Sequence, residues 1–116
     1  RKLFEDLAAA GISVGSLNLS EKEAMFAVFS PDVDRTCEVL DNTEFKYVLN
    51  TGCGKVTVVG NAMRGVPGVM ATFVAALASR KIAILQTVDS DTTISAIIKE
   101  EYLNEAVKAL HEAFKL

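Results

Sequence analysis

Residues 60–68, Gly-Asn-Ala-Met-Arg-Gly-Val-Pro-Gly, hold most of the groups in this sequence suited to binding a small charged molecule. Gly60, Gly65 and Gly68 carry no β-carbon, so a ligand can come close to the backbone. Pro67 pre-sets a first helical turn. The apolar spacing of Val69, Met70, Phe73, Ala76 and Leu77 predicts a helix directly after it. The free N–H groups of a helix start favour a carboxylate, and the helix dipole adds to the attraction. An α-amino acid offers such a carboxylate, and Asn61 or Asn18 offers an oxygen to its ammonium. The same pattern also serves as a plain strand-to-helix connection. It is not a phosphate-binding loop, because no Gly-Lys-Ser/Thr follows it. Arg64 reads first as a solvated charge or salt-bridge partner and second as a carboxylate ligand.

The remaining reactive residue types are isolated. His111 is the only histidine, lies one residue off the apolar stripe at Leu110, and has no second ligand at metal-binding spacing. No nucleophile is placed beside it. Cys37 falls on the apolar side of a predicted helix and Cys53 in a Gly-Cys-Gly turn; both read as free thiols in a reducing, cytoplasmic compartment. Asp89, Ser90 and Asp91 give turn chemistry, since a calcium loop needs more oxygens and a later glutamate. Met25, Met63 and Met70 read as core filler. No catalytic residue, metal or cofactor is expected in this chain.

The elements that must position the glycine-rich segment come in two copies. At an offset of 70 residues the chain aligns with itself without a gap: Leu3 on Phe73, Leu7 on Leu77, Ile12 on Ile82, Val14 on Ile84, Ser20 on Ser90, Val28 on Ile98, Val33 on Leu103 and Leu40 on Leu110. The hydrophobic pattern repeats in register, which marks an internal repeat. In the second copy, Val56–Val59 reads as a strand, Val69–Leu77 as a helix, Ile82–Leu85 and Ile94–Ile98 as strands, and Leu103–Phe114 as a closing helix. In the first copy, 2–10 is helical and ends at Gly11. Residues 12–19 and 24–29 read as strands, and Ser30-Pro31 as a helix start with serine at the N-cap. Residues 44–50 alternate Phe45, Tyr47 and Leu49 with polar neighbours, which predicts a further strand. Domains are therefore expected at 1–50 and 51–116, the first lacking its opening strand. The order strand-helix-strand-strand-helix-strand predicts an α+β fold of two ferredoxin-like modules, antiparallel sheets with helices on one face.

Composition narrows the function. The 116 residues carry a net charge of −3 with no basic stripe, which argues against nucleic acid as a partner. No apolar stretch reaches the ~18 residues of a membrane span. Arg1 and Lys2 open an amphipathic helix pattern rather than a signal peptide, and with no starting methionine we read the N-terminus as a cut. A module of about 60 residues buries only ~60% of its unfolded surface, so two such modules gain by packing on each other or on a second chain.

The run Lys55-Val-Thr-Val-Val-Gly-Asn-Ala-Met63-Arg64-Gly-Val-Pro67-Gly68-Val69 resembles the second ACT module of aspartate kinases: a valine-rich strand, Gly-x-x-Met-Arg, then Pro-Gly-Val opening a helix. Ala106-Val-Lys-Ala-Leu110-His111-Glu-Ala-Phe114 is similar to that family's closing helix. The resemblance covers 55–116 well and 1–50 more loosely. It implies an allosteric regulatory segment. Such a segment binds an end product (lysine, threonine or diaminopimelate), pairs with a second copy through its sheets, and acts on a kinase domain that itself holds ATP and Mg. The implied effector contacts are Ser13, Val14, Gly15, Ser16, Leu17 and Asn18 in the first module. In the second they are Asn61, Ala62, Met63, Arg64, Gly65, Val66, Pro67, Gly68 and Val69. Lysine-sensing relatives commonly have an acidic residue where Gly15 stands, and a Thr-Ser-Glu stretch where Asp89-Ser90-Asp91-Thr92 stands; these departures point away from lysine. The rival readings are a ligand-free dimerisation module, a sensor from another amino-acid enzyme, and a small stand-alone enzyme of this fold.

Overall fold

The computed structural model describes residues 2–60 and 68–115. The chain divides into two compact units, Arg1–Leu49 and Asn50–Leu116.

In the first unit, α1 (Lys2–Ala9) buries Leu3 and Leu7, four residues apart and so on one face. Gly11, at φ 77°, turns the chain out of the helix, and Ile12 N–H closes the cap on Leu7 O at 3.0 Å. The chain then enters the antiparallel pair β1 (Gly15–Leu19) and β2 (Ala24–Ala27). A 3-10 turn at Ser30–Asp32 leads into α2 (Val33–Asp41). Leu3, Leu7, Ile12 and Leu40 form the core, flanked by Phe4 and Phe26, whose rings meet edge to face at 5.6 Å. Arg35 ties the two helices by donating to Ala10 O and to Asp32.

The second unit repeats this plan with a strand added in front: β3 (Cys53–Val59), α3 (Val69–Ser79), β4 (Gln86–Asp89), β5 (Thr93–Lys99), a 3-10 turn at Glu100–Tyr102, and α4 (Leu103–Phe114). The sheet order is β3-β5-β4, antiparallel throughout. Val56, Val58, Ile94, Ala96 and Ile98 face Phe73, Leu77, Ala106 and Leu110, so α3 and α4 cover one side of the sheet. Strand Gly54 lets α4 approach: a β-carbon there would lie 2.5 Å from Leu103 Cδ1. Arg80, after α3, donates to Glu105 and Glu112 of α4.

The seventy-residue repeat is visible in detail. The 3-10 turns at Ser30–Asp32 and Glu100–Tyr102 sit seventy positions apart, as do the starts of α2 and α4. The cap bond Ile12 N to Leu7 O has its counterpart in Ile82 N to Leu77 O at 3.1 Å. The antiparallel α+β architecture matches expectation, and four details differ from it. Ser30 does not cap α2: it lies inside the 3-10 turn, which carries no side-chain cap bond. Ile12–Val14 and Ile82–Leu85 are approach segments. Their apolar side chains serve the core while strand pairing begins at Gly15 and Gln86. The fourth is residues 44–50, which form no strand among the described residues. Alternation supplies a face but not a neighbour for the backbone, and Tyr47 instead donates its hydroxyl to Asp41 of α2 at 2.8 Å.

Candidate functional site

The first set of candidate residues, Ser13–Asn18, spans the entry into β1. Val14 packs on the small core, and Gly15 opens the strand opposite Ala27. Pairing resumes only at Asn18 opposite Met25, so Ser16 and Leu17 together face Phe26 alone. This is a β-bulge, and Ser16 sits in it at φ 50°, a left-handed conformation for a residue with a side chain. The other two strand pairs, β3–β5 and β4–β5, keep unbroken register. A bulge re-aims backbone groups out of the ladder, and a non-glycine residue held at positive φ stores of order 1–3 kcal/mol that the surrounding fold must offset. Ser13, Gly15, Leu17 and Asn18 are exposed and Ser16 is half-buried, so this backbone is reachable. No acidic or basic side chain lies between Ser13 and Asn18.

Of the second set, Asn61, Ala62, Met63, Arg64, Gly65, Val66 and Pro67 lie outside the described residues. Gly68 is the N-cap of α3, at φ 84°, and its carbonyl accepts from Thr72 N–H at 2.8 Å. Gly68 itself has no side chain with which to cap this helix start, whose first N–H groups have no partner within the helix. An added β-carbon at Gly68 would meet nothing within 4 Å. The glycine therefore answers the left-handed backbone, not a close approach to other atoms. Val69 is half-buried against the larger core, which fixes the direction in which the helix start points.

Among the described residues no group of three or more His, Cys, Asp or Glu is placed to hold a metal ion, and no helix is long and apolar enough to cross a membrane. Cys37 and Cys53 are free thiols, both half-buried. At the Asp89–Asp91 turn, the Ser90 hydroxyl oxygen accepts from Thr92 N–H and Thr93 N–H at 3.3 and 3.2 Å, which explains the turn without an ion. The hydrogen bond to Asp41, and then the neighbouring Cys37, hold the Tyr47 phenol protonated well above its ordinary range. The signal for the bulge was present but weak: a Gly-Ser pair inside a strand pattern marks such irregularities.

The model of the ACT domain family matches residues 48–112. This chain belongs to the ACT domain family. Its ACT chain is 36% identical over 115 residues to aspartokinase 1 of Bacillus subtilis, covering 99% of this chain and 28% of that relative. Over 63 residues it is 51% identical to the aspartokinase of Mycolicibacterium smegmatis, covering 54% of this chain and 15% of that relative. It thus spans under a third of the length of these relatives. Among solved structures, the ligand-free regulatory subunit of aspartate kinase from Thermus thermophilus superposes with a TM-score of 0.87 at 30% identity, covering 99% of this chain and 81% of that one. A structure of aspartokinase alpha and beta subunits gives 0.86 at 29% identity, covering 99% and 82%. The ACT chain thus matches aspartokinase regulatory regions over nearly all its length, and its two units share their α+β design.

Proposed function

We infer that this ACT chain is the effector-sensing part of an aspartate kinase and that it transmits end-product binding to a kinase domain of the same polypeptide. The effector is lysine, threonine or diaminopimelate. Ser13–Asn18 of one copy form one wall of its site, and Asn61–Val69 of the other copy are the second set of contacts. Two copies pair, and the bound amino acid favours one arrangement of the pair. The shift it produces is limited to its differential affinity for the two arrangements, typically about 1–3 kcal/mol. The observation that supports this reading most directly is the bulge at Ser16, a strained backbone segment with exposed neighbours, in the strand for which the family resemblance implies effector contacts. The absence of any charge between Ser13 and Asn18 favours an effector with a neutral side chain over lysine.

The test is thermal unfolding of the chain with lysine, threonine, methionine or diaminopimelate, each at millimolar concentration. A ligand at 100 times its Kd adds about 2.7 kcal/mol, a plainly visible rise in Tm. One amino acid raising Tm while the others do not would identify the effector. Silence with all four would overturn the sensing role. A ligand-free dimerisation module is the second reading. Leu17, Leu19 and Met25, exposed on the two-stranded sheet, favour it, because exposed apolar groups there would gain from a cover.

A further inference from the structure

The two units join their helices at the same place with the charges inverted. Seventy positions separate Ala10 from Arg80, Arg35 from Glu105 and Asn42 from Glu112. In the first unit the cation stands on the second helix: Arg35 of α2 donates to the carbonyl of Ala10, just past α1, and to Asp32. In the second unit it stands just past the first helix: Arg80 donates to Glu105 and, at 2.8 Å, to Glu112, both on α4. The repeat keeps the seam and reverses which side donates.

The Glu105 and Glu112 side chains are 48% and 72% exposed, and ion pairs so open to water add little to stability. Their arrangement bears more on which helices can meet. The apolar positions leave that open, since Leu3 and Phe73, Leu7 and Leu77, and Leu40 and Leu110 are buried at equivalent places. A chain of two similar units can misassemble by packing a helix of one on the partner helix of the other, a characteristic failure of repeats. Each crossed pairing is wrong at the seam. Packing α3 on α2 sets Arg80 against Arg35, two cations, with Asn42 where Glu112 should accept. Packing α1 on α4 sets the Ala10 carbonyl against the Glu105 carboxylate, two acceptors without a donor. Discrimination of this kind comes from the unfavourable contacts as much as from the favourable ones.

We propose that this inverted seam is a matching code that keeps α1 with α2 and α3 with α4 while the chain folds. It goes beyond the sensing role and depends on neither effector nor kinase domain.

The test is refolding of the 116-residue chain from urea by rapid dilution, with a second jump back into urea to count the molecules that have become native. Three variants are compared with the parent. Arg80→Ala with Glu105→Arg gives the second unit the first unit's pairing. Ala10→Arg with Arg35→Glu gives the first unit that of the second. Either pair of substitutions makes both crossed packings acceptable, whereas all four together exchange the pairings and forbid crossing again. A crossed chain must unpack before it can re-pair, so it becomes native only in a slow phase. Pro31 and Pro67 add a slow isomerisation of their own, equal in all four chains. The expected result is a slow fraction at least about threefold larger in each two-substitution chain than in the parent. With all four substitutions it should return to the parent's value. Two-substitution chains that refold like the parent overturn the proposal. So does a four-substitution chain no better than they are, since the substitutions then only weaken the fold. Should a two-substitution chain fail to fold, the four-substitution chain decides alone: its clean refolding supports the code and its failure overturns it.

Discussion

At the residue scale, positive φ at two side-chain-bearing positions has opposite meanings. Lys81 (φ 59°) occupies in the second unit the place that Gly11 (φ 77°) holds in the first, directly after a helix and inside the same cap bond. The left-handed conformation costs a residue with a β-carbon about 1–2 kcal/mol, and glycine loses about 0.5–1 kcal/mol more chain entropy on folding. Lys81→Gly is therefore expected to stabilise the protein by about 0.5–1 kcal/mol, read as a rise in the urea midpoint at constant m-value. Ser16, in contrast, sits in the candidate site. Ser16→Gly should relax the same kind of strain, and if the bulge holds the effector, it should change the ligand-induced Tm shift more than it changes Tm itself. The two tyrosines offer a pH test. Tyr47 donates to Asp41 and Tyr102 to Glu101, and each bond holds its phenol above the ordinary 10.0. The neutral phenol is the favoured folded form, so this contribution is complete below pH 10 and disappears as pH rises through the higher folded values. Ultraviolet titration should show phenolate forming above pH 10 in the folded chain and near 10 in urea.

At the scale of elements, helices were legible, the start of α2 apart, because burial and helical period agree: Leu3 with Leu7, and Phe73 with Leu77, point into their cores. Strand starts were not. Ile12, Val14, Ile82 and Ile84 are as apolar as strand residues because they serve the same core, and nothing in their types shows that pairing starts later, at Gly15 and Gln86. The bulge was only weakly signalled for a related reason, since register is a relation between two strands and the gap-free repeat kept its offset through it. Residues 44–50 erred in the other direction, with a sound strand pattern and no described strand to receive it. Gly54 shows how packing selects a residue whose local propensity is poor in a strand. Gly54→Ala would drive a methyl into Leu103 and should cost about 1–3 kcal/mol, through the overpacking of the β3–α4 contact.

At the scale of the whole molecule, the two units carry unequal cores. Among the described residues, four buried apolar side chains hold the first and twelve the second. A two-stranded sheet is marginal without support, so the first unit relies on α1 and α2 far more than the second relies on any one element. Leu7→Ala removes a fully buried side chain there and is expected to cost about 2–5 kcal/mol. Hydrogen exchange should then show α1, β1 and β2 losing protection while β5 keeps it, because the opening is confined to one unit. The family and the overall architecture could be read from the repeat and from the Gly60–Val69 run. The identity of the proposed effector could not, since backbone groups aimed at a ligand are not encoded in side-chain types.

The hairpin tips hold one more consequence. Ser20 N–H bonds Glu23 O at 2.9 Å and Ser90 N–H bonds Thr93 O at 2.8 Å, while Leu19 faces Ala24 as Asp89 faces Ile94. Ser-Glu-Lys-Glu at 20–23 and Ser-Asp-Thr-Thr at 90–93 are thus interchangeable cassettes on identical sockets. A chimera carrying either tip twice should fold, which gives the molecule two equivalent ports where a fluorescent reporter could be installed in one unit and moved to the other without redesign.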